Sequence, residues 1–351
     1  MIRIINRGVE YKVAQVQDTT YFSGFDYLRA FCAIAVVATH TTIFGQTDMY
    51  INKGVHFIVT LAEIFYVNVL LLAVPIFIQI SLFLYVTKRK TTADFIKRIK
   101  SILVLWFFWI FVNALFTGIS IPQPSLWLQF FLTGGGSIFY FFSELLILVV
   151  LAELMLKIKK TTDERYFIGI TVFLFAISLM VFFIKPEILN FVKCDPQYLY
   201  SYWTPTNFFP YVFSTILISW LAEKKPKLTV YIIPVVLLYI VMSFIEWMTL
   251  PDIRYVAQNG YAFPTYGRTS VVLAASFLVI FFSLNHYRVP KIIQFFSDNS
   301  LAIYGIHMFI IRCKLFDVLQ LREPISSFTL FACTLTVTII LVYLIKFKRV
   351  V

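Results

Sequence analysis

Asp26-Tyr-Leu-Arg29-Ala-Phe-Cys-Ala-Ile-Ala-Val-Val-Ala-Thr-His40 is the stretch on which the reading of this chain turns. It is apolar enough for a membrane helix, yet it carries an arginine and a histidine. Ionisable groups are costly in hydrocarbon and are rarely kept there without a function. Eleven positions at about 100° each return to within about 20° of whole turns, so Arg29 and His40 share one helix face. At about 1.5 Å per residue they lie roughly 16 Å apart along it. They are too far apart to touch, and suited to the two ends of one long substrate.

Working outward, the 351 residues are 60% hydrophobic and 14% charged, with 39 phenylalanines. Soluble domains average about a quarter charged, so the composition is that of a membrane protein. Ten apolar segments are long enough to serve as spans: 27–47, 64–86, 101–119, 137–156, 166–184, 207–222, 228–247, 269–285, 299–316 and 325–345. The expected fold is all-α, a polytopic helical bundle of about ten transmembrane helices. Residues 1–24 form a short N-terminal segment, 25–346 the transmembrane domain and 347–351 a tail. No cleavable signal precedes the first span, which is expected to be retained.

Charge gives the orientation. Ten spans place both termini on one side, and 21 of the 30 basic residues fall on that side, against 8 opposite, with Arg29 inside a span. The positive-inside rule then makes both termini cytoplasmic and the protein a multi-pass protein of a bacterial-type cytoplasmic membrane. The formal charge of +12 reports this topology, and no nucleic-acid partner is expected. Four cysteines occur without a CxxC pair. Cys32 and Cys333 read as small core residues, and a Cys194–Cys313 disulfide has no support from spacing.

In this orientation Arg29 lies near the cytoplasmic surface and His40 toward the outer half. Two readings of Arg29 stand: a residue snorkelling to lipid headgroups, or a ligand-binding cation, with Asp26 one turn earlier as its pairing partner. His40 is either an interhelical hydrogen-bonding residue or a general base. Glu144, about two turns from the outer end of the fourth span, falls at a similar depth. Lys88, Arg89, Lys90, Lys97, Arg98 and Lys100 make the strongest cytoplasmic patch, suited to anionic lipid or to a phosphate-rich cytosolic ligand. His307 in Ser300-Leu-Ala-Ile-Tyr304-Gly-Ile-His307 is equally open between a structural bond and a function. Tyr198, Tyr200, Tyr202 and Trp203 fit an interfacial aromatic belt better than a sugar-stacking platform. Serine-hydrolase, zinc-protease, ATPase and dinucleotide signatures are missing, and no metal cluster is present in the sequence.

Together these pieces resemble the membrane-bound acyltransferase 3 family. Its first helix carries Asp-x-x-Arg-x10-His, matched by Asp26, Arg29 and His40. Phe77, Ser81 and Phe83, followed by Lys97, Arg98 and Lys100, fit the end of its second span and the basic stretch after it, with Leu82 in place of the usual glycine. Ser300, Leu301, Ile303, Tyr304 and His307 match its late Ser-Leu-x-Ile-Tyr-x-x-His. The run Tyr27–Ala33 is similar to the branch containing intercellular adhesion protein C.

The resemblance implies transfer of an acyl group, most often acetyl, from cytoplasmic acetyl-CoA or another acyl-CoA to a hydroxyl of a cell-envelope polysaccharide or lipid-linked glycan. His40 is then expected as general base, with Glu144, Ser81 and His307 as further catalytic candidates. Asp26, Arg29, Lys88, Arg89, Lys97, Arg98 and Tyr304 are the candidates for holding the donor, and membrane lipid surrounds the whole. A flippase for a polysaccharide intermediate and a non-catalytic partner of a glycan-synthesis complex are the alternatives.

Overall fold

A computed structural model describes residues 21–41, 68–117, 127–134, 138–184, 204–249, 266–285, 287–312 and 325–345, with a few isolated positions. A two-residue antiparallel pairing joins Ile5–Asn6 to Val9–Glu10; the rest of the regular structure described is helical. The helices are α1 Gly24–Thr41, α2 Ala73–Lys88, α3 Thr92–Thr117, α4 Trp127–Leu132, α5 Tyr140–Thr161 and α6 Glu164–Met180. They continue with α7 Phe209–Glu223, α8 Ile232–Thr249, α9 Thr269–Leu284, α10 Lys291–Asp298, α11 Ser300–Arg312 and α12 Ile325–Ile345.

Each of the ten predicted segments is occupied by one of these helices. Five helical stretches are long and apolar enough to cross a membrane: Asn68–Lys88, Thr92–Phe116, Glu164–Phe183, Thr229–Glu246 and Phe328–Ile345. Thr269–Leu284 and Ser300–Arg312 are apolar but shorter. α1 and α5 are interrupted by ionisable residues, and α7 has only 15 residues. Among the described residues, length and composition therefore mark five helices as candidate membrane spans, in keeping with a membrane protein.

The helices sort into an inner and an outer set. Asn68–Lys88 has 67% of its apolar window buried, against 22% or less for the other four. On α3, Val104, Phe107, Phe111 and Leu115 point outward, and on α6 Phe173, Ile177 and Met180 do the same. Large apolar side chains on the outside with Asp26, Gln79, Glu144, Glu153, Arg268 and His307 inside is the arrangement lipid requires, because buried polar groups find partners only within the bundle. Gln79 on α2 shows the principle: its Nε2 donates to Ser214 on α7 and Ser276 on α9, each at 2.8 Å.

α1 is central, packing against α2, α9, α10, α11 and α12. Gly24 permits its closest crossing. A Cβ there would stand 2.0 Å from the Phe282 carbonyl oxygen at the end of α9. Cys32 is fully buried and Cys333 half-buried, both free thiols. Cys194, Cys313, Tyr198, Tyr200, Tyr202 and Trp203 lie outside the described residues.

Candidate functional site: two cavities along one helix

The face shared by Arg29 and His40 opens into two different cavities. The first, of about 430 Å³, is lined by Arg29 together with Lys88, Arg89, Lys97 and Arg98. Its volume falls within the roughly 300–1,000 Å³ typical of ligand pockets. The basic residues converge because α2 ends at Lys88 and the chain turns at once into α3. Asp94 builds that turn: its Oδ2 accepts from the backbone amides of Lys90 at 3.0 Å and Thr91 at 2.8 Å. Lys97 and Arg98, in the second turn of α3, then face the end of α2. The deeper wall is apolar, with Phe77, Phe141 and Leu145 from α2 and α5.

Two of the cations are tied down. Arg89 forms a buried ion pair with Glu153 on α5, their side chains 6% and 4% exposed. Tyr85 donates to the same carboxylate at 2.6 Å. Arg98 donates to the hydroxyl of Ser81. Ser81, a catalytic candidate from sequence, thus lies in the basic cavity, while His40 lines the other one. Asp26 is 1% exposed and lines neither cavity. It accepts hydrogen bonds from Tyr21 and from Ser297 at the end of α10, which fixes the start of α1 against the α10–α11 corner.

The second cavity, of about 240 Å³, is lined by Thr39 and His40 of α1, Tyr140 of α5, Tyr266 before α9, and Tyr304 and Arg312 of α11. Half-buried His40 is the only imidazole among the described residues on its wall. His307, fully buried, packs behind it with ring centroids 5.4 Å apart and planes tilted by 33°. The His307 Nδ1 lies 3.0 Å from the Ile303 carbonyl, and its Nε2 has no hydrogen-bond partner among the described residues. Tyr304 donates to the Ile138 carbonyl. Tyr211 donates to the Tyr266 carbonyl at 2.6 Å, and Tyr140 donates to the Tyr266 hydroxyl at 3.1 Å. These bonds fix the aromatic wall.

Glu144 is 0% exposed, lines neither cavity, and both its carboxyl oxygens lack a hydrogen-bond partner among the described residues. Its expected proximity to His40 in depth is not accompanied by a place on the same wall.

The two cavities share no lining residue. Tyr304 of the second cavity meets Phe141 of the first, ring centroids 5.5 Å apart, and Trp109 on the wall of the first is stacked on Phe139 at 5.5 Å. Gly305 lets Trp109 approach: a Cβ at residue 305 would fall 2.1 Å from the indole. No group of three or more His, Cys, Asp or Glu suited to a metal occurs among the described residues. Sequence reasoning missed Trp109, the Tyr140–Tyr266 pair, Glu153 and the position of Arg312. A buried acid in the fourth apolar segment was the available signal for Glu153.

A cation-lined cavity and a histidine-lined cavity thus lie toward opposite ends of one helix. The chain belongs to the acyltransferase 3 family: a family model described as an acyltransferase domain matches residues 22–347. It is a membrane acyltransferase. No curated protein and no solved structure matches it.

Proposed function

We propose that the protein is an O-acyltransferase that takes an acyl group, acetyl in the simplest case, from cytoplasmic acyl-CoA and places it on a hydroxyl of an extracytoplasmic envelope glycan or glycolipid. The observation that carries this reading is the division of the Arg29–His40 face between a cavity with five basic side chains and a cavity with an imidazole. Coenzyme A has the matching form, a phosphate-rich head on a long thin arm. The proposal includes the ten-span topology with the basic cavity on the cytoplasmic side. It also includes placement in the branch that modifies exopolysaccharides.

Lys88, Lys97 and Arg98 hold the phosphates of the head, since guanidinium and ammonium groups at the end of α2 and start of α3 are suited to them. Arg29, on the helix that leads toward His40, holds the upper part of the arm. The arm covers the roughly 16 Å along α1 and delivers its thioester past Tyr304 and Phe141. His40 takes the proton from the acceptor hydroxyl. The oxygen attacks the thioester carbonyl, the C–S bond breaks, and CoA leaves as thiolate and is protonated. General-base assistance of this kind is worth typically 10²–10⁴ in rate. The largely apolar wall of the cavity strengthens any donor aimed at the developing oxyanion. Glu144 is given no step.

The test is transfer of labelled acetyl from acetyl-CoA to membrane glycan by purified wild type and His40→Ala. Loss of transfer by at least a hundredfold in a folded variant is expected. Equal transfer by His40→Ala would remove the base. A wild type that neither transfers nor hydrolyses acyl-CoA, while glycan export fails without it, would identify a flippase instead.

A further inference from the structure

Arg312 is the one charged side chain among the described residues that line the His40 cavity. It closes α11, five residues beyond His307, and Met308 one turn before it lines the same wall. An arginine in a last helical turn suits the helix dipole, and one near a membrane surface snorkels to headgroups. Neither tendency explains Asn113. This residue of α3 is 6% exposed, and its Oδ1 accepts from Arg312 Nη1 at 2.5 Å. A buried amide on the neighbouring helix holds the guanidinium against the cavity that contains the imidazole.

We propose that this cavity takes an anionic group, a carboxylate or a phosphate, carried by one of the two reaction partners, and that Arg312 binds it. The inference rests on the acyl-transfer reading of the cavity. A guanidinium offers planar paired donors matched to a carboxylate or phosphate. The cavity wall is mostly apolar, with Tyr140, Tyr266 and Tyr304 on it, and Arg312 itself is exposed, so the contact is partly screened by solvent. The anion has two sources: the far end of a dicarboxylic acyl group entering on CoA, or an acidic sugar or phosphodiester beside the acceptor hydroxyl. In both cases Arg312 fixes the partner by its charge and takes no part in bond making.

Matched pairs test this on the full chain reconstituted in phospholipid vesicles. Succinyl-CoA is compared with butyryl-CoA, equal in carbon number but without the carboxylate. A glucuronate-containing oligosaccharide is compared with its glucose counterpart. Arg312→Gln is expected to lower the charged-to-neutral ratio of kcat/KM at least tenfold in one pair, and that pair identifies the source. Arg312→Lys should retain an intermediate ratio and reports that the fold survives. If both ratios stay at the wild-type value, or if all four substrates lose rate equally as removal of an oxyanion donor would cause, the proposal is overturned.

A binding measurement is independent of turnover. Succinate should raise the thermal unfolding midpoint of wild type above that seen with butyramide, and should not do so in Arg312→Gln. If wild type turns over no acyl-CoA, the acyl-transfer reading fails, while this comparison still decides whether Arg312 binds an anion.

Discussion

His40 and His307 pack with ring centroids 5.4 Å apart, one on the wall of a cavity and the other fully buried behind it. The two histidines that sequence singled out separately thus form one tilted ring pair with unequal access to the cavity. His40→Asn is expected to lower kcat by about 10²–10⁴, the range for loss of a general base, with the KM for acyl-CoA within about threefold of wild type. His307→Asn keeps a buried polar group while removing the ring behind His40, and should lower kcat by a smaller factor. Steady-state kinetics on both variants checks the order. A larger loss from His307→Asn would reverse the assignment.

The basic cavity contains cations in different situations. Arg89 is neutralised by Glu153, whereas Lys97 is exposed on the cavity wall. Lys97→Ala should raise the KM for acyl-CoA about tenfold with little change in thermal unfolding. Glu153→Gln should act the other way. It leaves Arg89 without its counter-charge and should lower stability by several kcal/mol, because breaking a buried pair from one side costs about 3–5 kcal/mol. Substrate titration and thermal unfolding of the two variants separate phosphate binding from structural pairing.

Two glycines should prove intolerant of even one methyl group. At Gly24 the added Cβ would meet the Phe282 carbonyl at 2.0 Å, and at Gly305 the Trp109 indole at 2.1 Å. The first obstacle is backbone between α1 and α9, so Gly24→Ala should destabilise by about 1–3 kcal/mol, as overpacking generally does. The second is a side chain on the wall of the basic cavity. Gly305→Ala should therefore alter acyl-CoA turnover more than its unfolding midpoint, which a comparison of the two readouts will show.

Much of this arrangement was legible in the sequence, for physical reasons. Hydropathy located the helices because lipid demands apolar exteriors. The 3.6-residue period put Arg29 and His40 on one face, and both do line cavities at opposite ends of α1. Lys88, Arg89, Lys97 and Arg98 are close in sequence, so one tight turn suffices to bring them together. What stayed hidden depends on the rotation of each helix about its axis, which no single sequence fixes. Ser81 faces Arg98 rather than His40, Glu144 points away from both cavities, and Arg312, only one of several arginines assigned to the outer side, is the one that reaches the imidazole's cavity. The number of spans is similarly underdetermined, since α1 and α5 carry charged residues that lower their apolarity.

The proposed topology places the α2–α3 turn in the cytoplasm and the C-terminal end of α11 outside. Replacing the four native cysteines with serine or alanine gives a background in which Lys90→Cys and a cysteine at Leu315 are labelled singly. A membrane-impermeant maleimide applied to intact cells should label the residue-315 cysteine and leave Lys90→Cys unlabelled; in inside-out vesicles the order should reverse. The 21-to-8 distribution of basic residues favours this outcome. It gains weight from the basic cavity, because a site built from Lys88, Lys97 and Arg98 reaches coenzyme A only from the compartment that contains it. Labelling of Lys90→Cys in intact cells would place those residues on the wrong side and end the acyl-CoA assignment, whatever the chemistry at His40.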